Sequence, residues 1–377
     1  VGNDATNAGR FAYMEDLVLG GSDSYTTGIR QDTYYSGPSW NRYFNPDLTW
    51  EVGEKINLGL DLQLFNDFNL TFDIFREKRR DIFMTRENSI PEIVGTGETK
   101  ITSNNGEMEN KGLDLAIDYN KQITKDFFLS FKSTLTFARN KVLKMDEPPY
   151  FEYPGLSDVG HPLGTYWGYV ADGLFPDQET IDNSPRQDLG YTPQPGDIKY
   201  VNQPNAKGEY DNVINSNDRV AIGHPYDPEL VYGFGPSMKW KNWDFSFFFQ
   251  GVARTSFMMY GMHPFGTTSI KNMLQFVADD HWSVDNPNPN AAYPRLTKDS
   301  NGNNDQYSTY WLRNAAFLKL KNAEIGYTYK GMRFYLSGVN LLTFSPFKHW
   351  DPEMGGGNGL YYPTQRVFNI GFQMTIQ

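Results

Sequence analysis

The chain has 377 residues, a formal net charge of −11, no cysteine and a mean hydropathy of −0.59. An acidic balance without a basic cluster argues against nucleic acid as a partner, and the absence of cysteine excludes disulfides, thiolate metal sites and a Cys nucleophile. There is no apolar run of the roughly 18 residues a transmembrane helix needs, whereas 16% aromatic residues, mostly 24 Tyr and 27 Phe, suit strands and interface girdles.

Residues 1–50 are rich in Gly, Asn, Asp, Ser and Tyr and read as a long loop. Val1-Gly-Asn-Asp has neither the charged nor the apolar region of a signal peptide. The start is expected to lie inside a larger protein. Next, Ile56, Leu58, Leu60, Leu62 and Leu64 alternate with polar residues, Asn66-Asp67 makes a tight turn, and Phe68, Leu70, Phe72 and Ile74 resume the alternation. A period of two predicts a hairpin with one apolar and one polar face.

A second hairpin is predicted from Leu113, Leu115, Ile117 and Tyr119 to Phe127, Leu129, Phe131, Leu135 and Phe137. A third places Tyr232, Phe234, Met238 and Trp240 on one face, turns at Lys241-Asn242, and continues with Trp243, Phe245, Phe247 and Phe249. A fourth runs from Phe317 to Tyr329 and from Met332 to Leu342, with a phase slip between Leu320 and Ala323 that predicts a bulge. The last strand carries Phe368, Ile370, Phe372, Met374 and Ile376 on one side and Asn369, Gly371, Gln373 and Thr375 on the other.

Connections within hairpins are short. Those between hairpins are long: about 84–105, 141–164, 176–229, 255–315 and 343–365. Compact soluble domains seldom carry several such loops, whereas outer-membrane barrels join short periplasmic turns to long external loops. The expected fold is all-β: an antiparallel transmembrane β-barrel with long extracellular loops, of which this chain supplies about ten strands. A soluble β-sandwich or propeller is the weaker alternative.

The residues also carry a resemblance. Asn45-Pro-Asp-Leu-Thr-Trp-Glu51, Gly106-Glu-Met-Glu-Asn-Lys-Gly112, Gly164-Thr-Tyr-Trp-Gly-Tyr-Val-Ala-Asp-Gly173, Pro195-Gly-Asp-Ile-Lys-Tyr200, Asn217-Asp-Arg-Val-Ala-Ile-Gly223, Tyr293-Pro-Arg-Leu296 and Gly338-Val-Asn-Leu-Leu-Thr-Phe344 follow one another along nearly the whole chain. Together they resemble the C-terminal part of the SusC-like (RagA-like) TonB-dependent outer-membrane transporters. That resemblance implies a barrel of about 22 strands, preceded by a plug domain and a TonB box that this sequence does not contain. Residues 1–377 then form the C-terminal part of one barrel domain. The remaining strands are expected in an N-terminal part of the same barrel, either a separate fragment or a piece absent from this sequence.

The resemblance further implies residence in the outer membrane of a Gram-negative bacterium and TonB-dependent import of an oligosaccharide or peptide. The implied partners are a SusD-like surface lipoprotein, TonB acting through the N-terminal part, the lipid bilayer, and a second transporter–lipoprotein pair in a homodimer. The alternative is a transporter-derived barrel acting as a scaffold in a surface assembly. A soluble carbohydrate-binding protein is a third option.

Candidate sites are few. Loop aromatics Tyr150, Phe151, Tyr153, Tyr166 and Trp167 could stack on sugar rings or peptides, against the plainer reading that they pack within the loops. Asn369, Gly371, Met374 and Ile376 resemble the signal read by the barrel-assembly machinery, although Gln377 stands where that signal usually ends on an aromatic. The stretch 195–223 sits where the family often has a calcium-like loop. Its Asn202-Gln-Pro-Asn-Ala-Lys-Gly-Glu-Tyr-Asp211 puts Asn and Lys where acidic ligands are needed, so no metal or other cofactor is expected. Asp279-Asp280-His281-Trp282 reads as a structural loop motif, and Asp172, Asp177 and Glu179 as loop surface. No nucleophile–base constellation emerges, so the chain is not expected to be an enzyme.

Overall fold

The computed structural model describes residues 11–20, 24–86, 88, 90, 93, 101–260, 274–297 and 301–374. Nine of the described strands build one antiparallel sheet, against the ten or so expected. They are β1 (Val52–Leu64), β2 (Phe68–Thr85), β3 (Thr102–Thr124), β4 (Phe127–Lys144), β5 (Leu230–Trp240), β6 (Trp243–Ala253), β7 (Phe317–Tyr329), β8 (Met332–Phe344) and β9 (Val367–Met374). Each pairs with its sequence neighbours, so the sheet is an up-and-down meander.

Short turns fix the register. Trp240 faces Trp243 across Lys241-Asn242, and Tyr329 faces Met332 across Lys330-Gly331. Lys330 and Gly331 both have positive φ, 48° and 80°, as a two-residue hairpin turn of this hand requires. The slip anticipated in the fourth hairpin is a bulge at Lys321. Phe248 pairs with Asn322 and Phe249 with Leu320, leaving Lys321 without an opposite residue on β6.

These registers stack the alternation of every strand onto one face. Leu60 lies opposite Phe72, Phe72 opposite Leu115, Leu115 opposite Leu135, and Leu135 opposite Tyr232. Further on, Trp243, Tyr327, Phe334 and Phe372 form another row. The other face is polar: Asp61, Thr71, Ala116, Thr134, Gly233, Gln250, Lys319 and Thr343 align across the strands. Charges on that side pair with one another, as Lys55 does with Glu77 at 3.3 Å and Arg333 with Glu324 at 2.5 Å and with Asp244.

The apolar face is bare. Ile56, Leu58, Ile74, Phe334, Phe368 and Ile370 are all exposed, Ile370 at 90%. Covering a side chain of this kind is worth about 1.5–3 kcal/mol, so a whole face left in water is untenable. No helix of the described residues is long and apolar enough to cross a membrane. The strands have 8 to 23 residues, and most reach or exceed the roughly 9–11 that cross the hydrocarbon band at a tilt.

The closed hydrophobic core lies elsewhere. Tyr169, Ile198, Tyr200, Phe257, Val277, Trp282, Tyr293, Trp311 and Phe347 pack together with other buried residues, all from the connections at the end of the sheet away from the short turns. The long loops are therefore a folded cap with its own core.

Candidate functional site: a tyrosine cluster on the loop cap

The cap is organised around a buried carboxylate. Asp197 is wholly buried and accepts from Asn301 Nδ2 (3.0 Å), Asn304 Nδ2 (2.8 Å) and the Gln194 backbone N–H (2.9 Å). Arg295 pairs with the same carboxylate, its Nε 2.7 Å from Asp197 Oδ1 and its Nη2 donating to Asp197 Oδ2 at 3.3 Å. Tyr200 donates its hydroxyl to Asn303 O at 2.7 Å, Trp311 Nε1 donates to Asn304 O at 2.7 Å, and burial pushes the Tyr200 hydroxyl pKa far up. Gly196, with φ +87°, lets the chain pass Trp282, because a Cβ there stands 2.2 Å from the indole. The network ties segments some hundred residues apart into one rigid base.

On that base, separate loops bring tyrosines together. The short strand Tyr166–Gly168 pairs with Val220–Ile222, setting Tyr166 opposite Ile222. Gly168 leaves room for the Tyr307 carbonyl, which would stand 2.4 Å from a Cβ, and the Tyr169 N–H donates to that carbonyl at 2.8 Å. The Tyr226 N–H donates to Gly164 O at 3.2 Å. A parallel bridge between Met259 and Gly357 lays the 355–361 loop beside Tyr260.

Tyr226, Tyr260 and Tyr307 consequently sit close enough to Tyr166 to raise its pKa, and Tyr361, Tyr307 and Tyr226 close enough to Tyr260 to raise its own. Burial, then the neighbouring tyrosines, push the Tyr166 hydroxyl up to about 12. The hydrogen bond between the Tyr260 and Tyr361 side chains, with the charge Tyr361 would carry, raises Tyr260. Four of the five rings are open to solvent: Tyr226, Tyr260, Tyr307 and Tyr361 lie between 48% and 58% exposed. Behind Tyr260 and Tyr307 is a cavity of about 230 Å³, backed by Met259, Tyr293, Arg295 and Trp311. Neutral hydroxyls beside flat apolar faces suit a neutral polyol or a peptide, since each ring offers both a stacking surface and a hydrogen-bonding tip.

The sequence-based candidates divide. Tyr166 belongs to the cluster. Trp167, next along the same strand, projects to the other side. There it donates Nε1–H to Asp158 at 2.6 Å and packs edge-on to His161 at 5.1 Å. Tyr150 is half-buried, Phe151 is 86% exposed, and the Tyr153 hydroxyl donates to Asp211 at 3.4 Å. Tyr226, Tyr260, Tyr307 and Tyr361 were missed. Only their occurrence as loop tyrosines marks them in sequence.

The Asp279–Trp282 motif and the loop carboxylates have partners within the cap. Residues Gln275–Asp279 form a short helix, His281 Nδ1 lies 2.8 Å from Ala278 O, and Trp282 is buried in the cap core. Asp177 caps another short helix through the Thr180 N–H, and Asp172 pairs with Lys199 at 2.8 Å. On the last strand, Asn369 lies opposite Ser337. Gly371 lies opposite Tyr335, whose ring occupies the space a side chain there would need, and Met374 lies opposite Met332. Ile376 lies outside the described residues.

Comparison with known proteins agrees with this architecture. Residues 9–341 match the family described as TonB dependent receptor-like, beta-barrel. The chain is 26% identical to TonB-dependent receptor P3 of Formosa agariphila over 91% of its own length and 36% of that protein's. It is 27% identical to TonB-dependent receptor SusC of Bacteroides thetaiotaomicron over 97% and 35%. The chain thus spans little more than a third of the curated relatives it matches. Its fold is that of the RagAB peptide transporter, with TM-score 0.67 at 21% identity over 96% of this chain and 38% of that one. The "open-open" state of the RagAB peptide importer gives 0.71 at 20% identity, over 100% and 39%. With the registered apolar face, the polar face and the folded loop cap in place, the chain belongs to the TonB-dependent receptor-like β-barrel family.

Proposed function

We propose that this chain is the wall and loop cap of an outer-membrane importer of a Gram-negative bacterium, and that its tyrosine cluster contacts the incoming ligand, a neutral oligosaccharide or a peptide. The observation that carries the reading is the convergence of Tyr166, Tyr226, Tyr260, Tyr307 and Tyr361 at the loop end of a sheet with an apolar outer band. The fold likeness to the RagAB peptide transporter supports a peptide, and flat rings with hydrogen-bonding tips suit an oligosaccharide as well. In this reading a SusD-like lipoprotein closes over the cap, and TonB drives release through the part of the protein beyond this chain. Phe151 and Tyr153 lie on the same cap and are secondary contacts. Asn369, Gly371, Met374 and Ile376 serve barrel assembly.

The test uses the full-length transporter. Tyr260→Ala with Tyr307→Ala removes two exposed rings without touching the Asp197 network. Each stacked aromatic is worth about 0.5–1.5 kcal/mol, so the pair is expected to weaken binding of the imported oligosaccharide or peptide roughly tenfold or more. Uptake should fall in parallel while the amount of barrel in the membrane is unchanged. Unaltered binding and uptake would remove the cluster from the ligand path. Binding without uptake in the wild type would favour the scaffold.

A further inference from the structure

One row on the outer face breaks the pattern of large side chains. Phe247 lies opposite Ala323, Ala323 opposite Gly338, and Gly338 opposite Phe368. Two phenylalanines thus flank two small residues on adjacent strands. The next row toward the short turns, Phe245, Ile325, Leu336 and Ile370, is large throughout. Toward the loops, Leu341 leans over Gly338, where a Cβ would stand 2.5 Å from Leu341 Cδ2. The result is a notch of about 360 Å³ walled by Phe245, Phe247, Ile325, Leu336, Leu341 and Phe368.

Its dimensions select the occupant. Phe247 and Phe368 are three strand spacings apart, about 14 Å between backbones, and their rings narrow that gap. A helix about 10–12 Å across does not enter a notch closed at both ends, whereas a hydrocarbon chain does. The chemistry above the notch is also specific. Arg366 lies just outside β9, two residues on the loop side of Phe368 and so within about 7 Å of it along the chain. Arg366 is exposed, its Nε donates only to the Asn340 carbonyl at 3.3 Å, and it has no carboxylate partner among the described residues. An apolar slot below an uncommitted guanidinium at the loop-side rim matches a lipid with acyl chains and an anionic head group.

We propose that the β7–β9 face binds one phosphorylated lipid of the outer leaflet, with an acyl chain in the Ala323–Gly338 notch and a phosphate on Arg366. The proposal rests on the outward assignment of the apolar face and is independent of what the transporter imports.

The full-length transporter, purified in detergent, is titrated with lipid A and with the same lipid after dephosphorylation, and bound lipid is counted by native mass spectrometry. The wild type should retain one lipid A per barrel. Arg366→Gln should weaken lipid A about tenfold and leave the dephosphorylated form unchanged. Ala323→Phe, which fills the notch, should weaken both. Heat-modifiable migration on gels reports whether Ala323→Phe folds, and Arg366→Gln, in an exposed segment, tests the phosphate seat regardless. Equal retention by the wild type and both variants would overturn the proposal. So would a photo-crosslinker at the Phe368 position that captures a protein and not lipid.

Discussion

Replacing Asp197 with alanine probes the cap without touching the wall. The wild-type carboxylate accepts from two asparagine side chains, one backbone N–H and Arg295 Nη2, and it neutralises Arg295, whose side chain is 17% exposed. Asp197→Ala leaves a largely buried cation with no counter-charge and orphans the amides of Asn301 and Asn304. Removing one partner of a buried pair costs about 3–5 kcal/mol, which makes local opening roughly 10²–10⁴-fold more frequent. Hydrogen exchange read by mass spectrometry on the intact transporter should show that loss of protection in segments 187–200 and 301–311. Strands β3 and β4, whose ladders do not involve Asp197, should exchange as in the wild type. Asp197→Asn keeps an acceptor and drops the charge, so its effect should be smaller. Wild-type exchange across 187–200 in Asp197→Ala would refute the idea that this network holds the cap together.

Three further outcomes follow from the geometry. His349 stacks on Phe276 at 4.3 Å, and burial, then the Arg313 charge, hold its pKa below the ordinary histidine value. The unfolded cap therefore takes up a proton first as pH falls through about 6.5. Cap protection should decline below that pH, and His349→Phe should remove the dependence. Gly196→Ala combines a left-handed φ with a clash against Trp282. It should expose the Trp282 environment to fluorescence quenchers at a cost of about 1–3 kcal/mol while heat-modifiable migration stays normal. Gly331→Val forces a β-branched residue to φ near 80° in the β7–β8 turn and should lower barrel yield on refolding, with Gly331→Asn restoring most of it.

The wall was legible because its constraints are local. Leu60 and Phe72 announce their face by alternation, Lys330-Gly331 and Lys241-Asn242 set register over two residues, and the bulge at Lys321 shows as a lost beat between Leu320 and Ala323. The cap was not legible, because its core joins residues such as Ile198, Phe257 and Trp311 across long separations. Their segments, rich in Gly, Asn and Pro, carry no period. Burial there depends on which loop lies against which, and no single segment encodes that. The same reason explains the candidate site. Tyr166 and Trp167 look equivalent in a string, but a strand sends them to opposite sides, and the partners of Tyr166 come from loops far along the chain.

The account rests on hydrocarbon covering the side that holds Leu60, Phe72, Leu115 and Leu135. The absence of cysteine from this chain makes a direct test possible: single cysteines are placed at these positions and at Asp61, Thr71, Ala116 and Thr134 in the full-length protein, with any cysteine outside this chain replaced, in membranes. A lipid-soluble maleimide should label the first set, and a charged, membrane-impermeant one only the second, alternating residue by residue along each strand. Labelling of both sets by the charged reagent would contradict the assignment.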